Sequence, residues 1–555
     1  MEQLKEILSP ENDRWLRQFV GSHGRAPVIL LIGNIANNGY NNAKILSEAG
    51  FDCDVICYDY YHMMGCPEWE DADLSGRLND DFRPNWTSMD LGGFERPEWF
   101  AQGPLKACID YLCARRDGAP TKPEYWRRLL IHSRCVSPRN FKDLLTLLEP
   151  LAKQAYNRLI NSLPRLLVWA LKLFARQAKR LFRRQTLAAV LDPTFNSRAN
   201  ALIVEFARQF PARGDKLQID DLHPYGHMYH EWCRLFDHYD IIIGFATDPF
   251  LPMLSGRSYF AIEHGTLRTI PFDQNGQGRR TALAYNQARH CFVTNFDCAG
   301  SAEVLAPGRF SLMNHPYDED RGLTISGATQ LRDRLCRKLD ADFLIFHPTR
   351  HDWVEGTGFA DKKNDVLLLA FAKLRARGWR IGLVVCEWGE NVSHSKHLLR
   401  LHGCSHHVQW IKPLAITPFE RMCRACDVVA DQFKLGAFGG VVFKAMATGV
   451  PILTYLNEEQ LKRQYAECPP VINCASVDEV TLRLTEVLND RGLLKVISEE
   501  TRRWIKRFHG KKETINAQVD QFRLHHPASK QATSSNSALK VVVLKNPNCS
   551  TNSIN

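Results

Sequence analysis

Short unbroken apolar runs alternate along the chain with longer amphipathic ones. APVILLIGN predicts a strand, NIANNG a polar loop, YNNAKILSEAG a helix ending at Gly50, and FDCDVICYDYY the next strand. Strand, loop, helix, strand is the opening of a parallel α/β sheet, since a parallel neighbour needs a crossover to bring the chain back. YDIIIGFA, SYFAIEHGT and ARHCFVTN predict later strands of the same sheet. The pattern then restarts. ADFLIFHPTR reads as a strand, NDVLLLAFAKLRARG as a helix, WRIGLVVCEWG as a strand, PFERMCRACD as a helix and VVADQF as a strand before a Gly-rich loop. The expectation is an α/β protein of two Rossmann-like domains facing a central cleft, with ligands at the carboxyl ends of the strands. The first domain is expected over 1–335, with a helical basic insertion at about 140–215, and the second over 336–525. The Ser-, Asn-, Thr- and Lys-rich stretch 526–555 is expected to be disordered.

Composition narrows this little. A chain of 555 residues is too long for one ordinary core. Its 45% hydrophobic and 24% charged content is that of a soluble globular protein. A net charge of +10 suits an anionic partner, whether nucleotide, phospholipid surface or nucleic acid. No nucleic-acid recognition motif accompanies it, so nucleic acid is not the expected partner. The opening MEQLKEILSPENDRWLRQF has no apolar core of a signal peptide, and no run of ~18 apolar residues occurs. A cytoplasmic protein is expected. The 17 scattered cysteines then read as free thiols, and Cys423 with Cys426 lacks the second pair that a zinc site needs. His62, Glu68, Glu70, Asp71 and Asp73 match no metal-ligand spacing, so no metal is expected.

One segment stands apart. From Pro150 to Leu191 there is no Asp or Glu. Within it Arg165, Lys172, Arg176, Lys179 and Arg183 fall on one narrow helical stripe, with Leu166, Leu167, Ala170, Leu173 and Phe174 opposite. Two readings stand: a solvated basic face of a domain helix, or contact with an anionic membrane surface anchored by Trp169 and Phe174.

The second half carries the candidate chemistry. Arg350 ends a strand, and Lys362 and Lys363 precede a helix. Gly436, Gly439 and Gly440 present backbone N–H groups at a helix start. Two readings stand: an anion cradle suited to a diphosphate, or a surface Arg/Lys group beside an ordinary strand-to-helix turn. No GxGxxG follows the first strand and no GxxxxGK[ST] occurs, which argues against a dehydrogenase or an ATPase.

FHPTRHDW, KKNDVLLLAFAKL and VVADQFKLGAFGGVVFKAMATGVPIL together resemble the donor-binding domain of glycosyltransferase family 4, the retaining enzymes of the GT-B fold. GNIANNGYNNAKIL, DYYHMMGCPEWEDAD and EHGTLRTIPF resemble the acceptor-side domain of bacterial members. The resemblance implies that Arg350 and Lys362 neutralise the donor's diphosphate and stabilise it as a leaving group, with no metal or other cofactor. It implies that Phe438, Gly439 and Gly440 approach the donor, that His264 stands near the reacting sugar, and that the loop Gly33 to Gly39 closes over the donor. The family's loop signature is Glu, seven residues, Glu, but those positions read Gly436 and Lys444 here. A lysine has no acceptor for the ribose hydroxyls. It can reach a phosphate or pair with Asp431, leaving Asp431 and Gln432 to supply the lost polar contacts. The implied function is retaining transfer of a sugar from a nucleoside diphosphate sugar to an acceptor such as a lipid-linked or cell-surface glycan precursor; the membrane reading of the basic helix would set the protein peripherally on the inner face of the plasma membrane. The alternative, favoured by Lys444, is a non-catalytic GT-B subunit that binds a sugar nucleotide or glycan. His264 also has a plain reading as a packed histidine, and His351 and Asp352 as residues that shape the strand-end turn.

Overall fold

A computed structural model describes residues 7–74, 78, 82–119, 192–354, 361–436, 438–440, 442–465 and 467–526. The expected basic helix with Arg165, Trp169, Lys172, Phe174, Arg176, Lys179 and Arg183 lies outside the described residues, as does the expected disordered tail.

The chain forms two parallel sheets. The first contains β1 (Val28–Ile32), β2 (Asp52–Tyr58), β3 (Phe100–Gly103), β4 (Ile241–Phe245), β5 (Phe260–Ile262), β6 (Cys291–Val293) and β7 (Phe310–Leu312), in the order β3-β2-β1-β4-β5-β6-β7. The second contains β8 (Phe343–His347), β9 (Ile381–Cys386), β10 (Val408–Ile411), β11 (Val428–Ala430), β12 (Ile452–Thr454) and β13 (Ile472–Asn473), in the order β10-β9-β8-β11-β12-β13. The unbroken apolar runs follow from this layering, because helices cover both faces of each sheet. In β1, Val28, Leu30 and Ile32 enter one core, while Ile29 and Leu31 enter the core on the opposite face. The order reverses between β1 and β4 in one sheet and between β8 and β11 in the other. Crevices at such reversals, beyond the carboxyl ends of the strands, are where ligands sit in open α/β sheets. Gly33, Arg350 and Asp431 all lie just past those ends.

Three expected boundaries move. The helix Ala328–Leu339 buries Leu335 and Leu339 with Phe346 and Phe419, so the second domain begins before 336. The helix Lys511–His525 returns to the first domain and buries Ile515, Val519 and Phe522 against Trp15 and Phe51. Asn516 accepts there from the backbone N–H of Ser9 (2.7 Å) and from Asn12 Nδ2 (3.0 Å). Its apolar face completes a core that the helix Pro10–His23 leaves open, which is why it does not stay with the second domain. The basic insertion ends before 193, since the helix Pro193–Gln209 buries Phe195, Ala199, Leu202 and Phe206 in the first domain's main core.

The domains are docked through an apolar contact as well as charges. Met63, Cys66, Trp69 and Trp86 of the first domain cluster with Ala415 and Ile416 of the second.

Candidate functional site

At the carboxyl end of β8, Arg350 is 41% exposed and forms an ion pair with Asp352. Burial lowers the Lys362 pKa, the carboxylate of Asp431 opposes that shift, and the like charge of Arg350 adds to it. Arg350, Lys362 and Asp431 are thus close enough to feel one another at the β8/β11 reversal. Thr349 Oγ1 donates to Asp431 Oδ1 (2.8 Å), and the Gly439 backbone N–H donates to Oδ2 (3.0 Å). Burial raises the Asp431 pKa, and these donors and Lys362 oppose the shift. A Cβ at position 439 would stand 2.4 Å from Asp431 Oδ2, so glycine is what lets the loop come this close. Gly436 turns with φ +68°, and Gly440 borders open space.

The expectation that Asp431 and Gln432 replace the lost polar contacts to the donor gives way to a different role. Gln432 Oε1 accepts from the backbone N–H groups of Lys434 (2.8 Å) and Leu435 (2.6 Å), and Nε2 donates to the carbonyl of Tyr455 (3.0 Å). Both residues are buried and hold the loop's shape. The ring of Phe438 packs 4.7 Å from Phe443 and 6.0 Å from Trp504, which leaves its backbone as the part that can meet a ligand.

Lys444 does not pair with Asp431. Its Nζ lies 2.5 and 2.7 Å from the two carboxylate oxygens of Glu70 in the first domain. The side chains are 12% and 6% exposed, so this is a buried interdomain ion pair. Arg321, in the segment joining the domains, donates to Asp71 Oδ1 (2.7 Å) and to the Glu70 carbonyl (2.5 Å), and its Nε lies 3.3 Å from Glu420 Oε2. Tyr40 and Lys44 also bond Asp71, at 2.5 and 3.0 Å. Burial pushes the Glu420 carboxyl up to about 7, against the opposing charges of Arg321 and Lys444. The space left among Asn41, Lys44, Glu70, Tyr317, Arg321 and Lys444 is about 30 Å³. That admits a water or two and no ribose. The remaining acids of this stretch are also committed: Glu68 pairs with Arg96 (2.7 Å) and Asp73 with Arg421 (2.5 Å).

Across the interface, His264 follows β5. Asn38 Nδ2 lies 3.3 Å from its Nδ1, and its ring stacks on His315 at 4.9 Å and on Phe245 at 5.6 Å. Burial, and then His315, holds the His264 pKa well below the ordinary range. Burial, and then Lys444, lowers that of His315 to about 4. Both rings are therefore neutral at physiological pH. His264 Nε2 is buried with no protein partner among the described residues, which leaves one uncharged polar atom for a ligand.

The loop Gly33 to Gly39 is braced rather than free to swing. Gly33 has φ +97°, and a Cβ at Gly39 would lie 2.3 Å from the Gly33 carbonyl. Ala36 and Asn37 take left-handed φ values of 51° and 58°, which side-chain-bearing residues adopt only when held. The holding contacts are Asn34 Nδ2 to the Gly65 carbonyl and Asn37 Nδ2 to the Cys66 carbonyl, both 2.9 Å. His351 is buried against Ser395 Oγ (2.8 Å), and Asp352 accepts from the Glu390 N–H (2.8 Å), so this pair shapes the turn. Cys423 and Cys426 are buried free thiols.

Sequence reasoning missed Glu70, Arg321 and Glu420 as parts of the site. A weak signal existed for Glu70: an acid-rich PEWED stretch in one domain, and in the other a lysine at a position where an acid is expected.

Two Rossmann-like sheets meeting at their carboxyl ends, with the last helix crossing back onto the first domain, make up the GT-B architecture. Residues 356–504 match the family model described as glycosyl transferases group 1, so the second domain carries that family's features. Among solved structures, the chain is similar to HepE from Anabaena in complex with UDP and glucose, at 15% identity and a TM-score of 0.42, over 54% of this chain and 83% of that one. It is also similar to sucrose-phosphate synthase from Thermosynechococcus elongatus, at 10% identity and a TM-score of 0.46, over 91% of this chain and 100% of that one. A comparison with curated protein sequences finds no match. No helix among the described residues is long and apolar enough to cross a membrane.

Proposed function

We propose that the protein is a metal-independent, retaining glycosyltransferase that moves a sugar from a nucleoside diphosphate sugar to a glycan or lipid-linked acceptor. The observation that carries this reading is the convergence of Arg350, Lys362 and the glycine-shaped loop at the β8/β11 reversal, inside the region that matches the group 1 family. As the bond between the anomeric carbon and the diphosphate oxygen breaks, negative charge collects on the diphosphate. Two cations and the loop amides stand ready to stabilise it, which lowers the barrier most where the charge is newly formed. The acceptor oxygen then bonds to the anomeric carbon on the face the diphosphate is leaving, and its proton passes to a phosphate oxygen. His264 Nε2, neutral and unpartnered, suits a hydrogen bond to a hydroxyl of the transferred sugar. Lys444 serves domain docking, so the donor is held mainly from its phosphate end.

The ion pair between Lys444 and Glu70 favours a second reading, a non-catalytic sugar-nucleotide-binding subunit, because it fills the place of a ribose-binding carboxylate. Incubation with a panel of nucleoside diphosphate sugars separates the two. Release of free nucleoside diphosphate supports the enzyme, and calorimetric binding without release supports the subunit. Arg350→Ala and Lys362→Ala should each weaken nucleoside diphosphate binding by roughly ten- to a hundredfold, the value of a charge-assisted contact. Unchanged affinity in both would remove the diphosphate assignment.

A further inference from the structure

His315 stands on the segment that leaves β7 for the second domain. Two ties hold that segment beside the chain returning at 508–510. Asn314 Nδ2 donates to the Phe508 carbonyl (2.7 Å), and the Tyr317 N–H donates to the His509 carbonyl (3.1 Å). Pro316 follows His315, and a residue before proline is kept extended. His315 is therefore fixed between two anchors in the crossover.

From there its ring covers His264, with the centroids 4.9 Å apart and 11° between the planes. His264 also stacks on Phe245, the last residue of β4, at 5.6 Å and 24°. The χ2 torsion of a histidine has broad preferences, so packing has to set the plane of the ring. Two near-parallel rings do so, one from the first domain's sheet and one from the crossover.

The edge contact sets the proton. Asn38 Nδ2 lies 3.3 Å from His264 Nδ1. An amide N–H only donates, so Nδ1 accepts and the proton of the neutral ring is on Nε2. Nε2 is the buried atom with no protein partner among the described residues. A half-turn about χ2 would put Cε1 in its place and withdraw the donor. Burial, and then Lys444, keeps His315 neutral near pH 7, so its ring adds no cation beside His264.

We propose that His315 is a positioning residue for His264: its ring, set by the crossover, fixes the plane of the His264 imidazole so that Nε2 presents its proton to a ligand hydroxyl. The imidazole is then set by the joint between the domains and not by its own domain alone. The sugar as owner of that hydroxyl rests on the glycosyltransferase reading; the setting of the ring does not.

Nuclear magnetic resonance of the full chain, with protonated ring-15N histidine in an otherwise deuterated protein, reads the imidazole without any donor. The His264 signal is assigned by its loss in His264→Asn. In the unmodified chain it should show one tautomer with the proton on Nε2, contacts to the His315 ring protons, and no titration between about pH 5.5 and 8. His315→Leu fills the space without a flat ring. It should give mixed tautomers or a titration near the ordinary ~6.5. It should also lower turnover of a nucleoside diphosphate sugar by roughly ten- to a hundredfold with the donor KM unchanged, as a small misplacement does. His315→Phe restores a flat ring and should recover the single tautomer and most of the turnover. The unmodified chain and His315→Phe decide alone if the leucine variant does not fold. A His264 that titrates near ~6.5 in the unmodified chain, keeps its single tautomer in His315→Leu, or is disturbed equally by leucine and phenylalanine would overturn the positioning role. No turnover of any nucleoside diphosphate sugar by the unmodified chain would instead overturn the glycosyltransferase reading, with the resonance result still deciding His315.

Discussion

Restoring the family's glutamate at position 444 should damage this protein rather than repair it. Lys444 lies within 2.7 Å of both Glu70 oxygens in a buried interface that also holds Asp71 and Glu420. Glu70, Asp71 and Glu420 there face three bases, Lys444, Arg321 and Lys44, while Asp318 at the edge pairs with Lys511. The substitution Lys444→Glu leaves four acids and two bases. At an effective dielectric of ~20, unit charges ~4 Å apart interact by about 4 kcal/mol, and the change turns attraction into repulsion. Uptake of a proton limits the loss, and breaking one side of a buried pair costs about 3–5 kcal/mol. For a unit of this size that is a fall of roughly 6–20 °C in melting temperature. Differential scanning calorimetry on the unmodified chain, Lys444→Glu, Glu70→Lys and the double variant forms a complete cycle. The double variant should recover most of the loss, with a coupling of about 3 kcal/mol. Nucleoside diphosphate affinity of Lys444→Glu should also fall, since the helix Val442–Ala447 that follows the glycine-rich loop loses its anchor to the first domain. A coupling below about 0.5 kcal/mol, or tighter nucleotide binding by Lys444→Glu, would refute the reasoning.

Two further outcomes are expected. Because burial raises the Glu420 carboxyl to about 7, the folded protein holds that proton more tightly than the unfolded chain does. Its contribution is therefore greatest below the unfolded value near 4.5 and is lost as pH rises through about 7, so Glu420→Gln should flatten the stability profile over that window by on the order of 1–3 kcal/mol, measured by urea unfolding at several pH values. If the segment Arg165 to Arg184 docks on anionic lipid, vesicle sedimentation should show salt-sensitive binding to anionic vesicles, with about 1 kcal/mol lost per basic residue replaced; equal partitioning to neutral vesicles would return it to a solvated domain helix.

What was legible in the sequence was what is local in the chain. The run VILLI announces a strand covered on both faces because all five positions are apolar, and β1 indeed divides its side chains between two cores. That Arg350, Lys362 and the glycines around 439 come together at one strand-order reversal was legible because a strand end, a helix start and a close backbone approach each demand particular residue types. The stretch that forms the helix Lys511–His525 was placed with the second domain, and its membership of the first was not legible. Its amphipathic face fixes how wide an apolar surface it needs, not which of two cores supplies it. His315 escaped notice because nothing in NHPY distinguishes a solvated linker histidine from one stacked on a site. Its stacking partner His264 arrives from the end of another strand.

Lys444 is the case where local reading gave a question and only the fold gave an answer. Read alone, it is a carboxylate position that has lost its function, and the partners the loop itself offers are Asp431 and a phosphate. The fold brings Glu70 to it from 374 positions away, in a stretch whose other acids are already matched to Arg96, Arg321, Lys44 and Arg421. Glu70 without Lys444 would be a buried acid with Arg321 3.8 Å away as its nearest remaining cation, and Lys444 without Glu70 a buried base beside a neutral His315. Neither charge is tolerable alone at that depth, because desolvation would neutralise it or unfold its surroundings. The lysine and the glutamate are therefore one feature of the interface, and a change at 444 cannot be judged apart from residue 70.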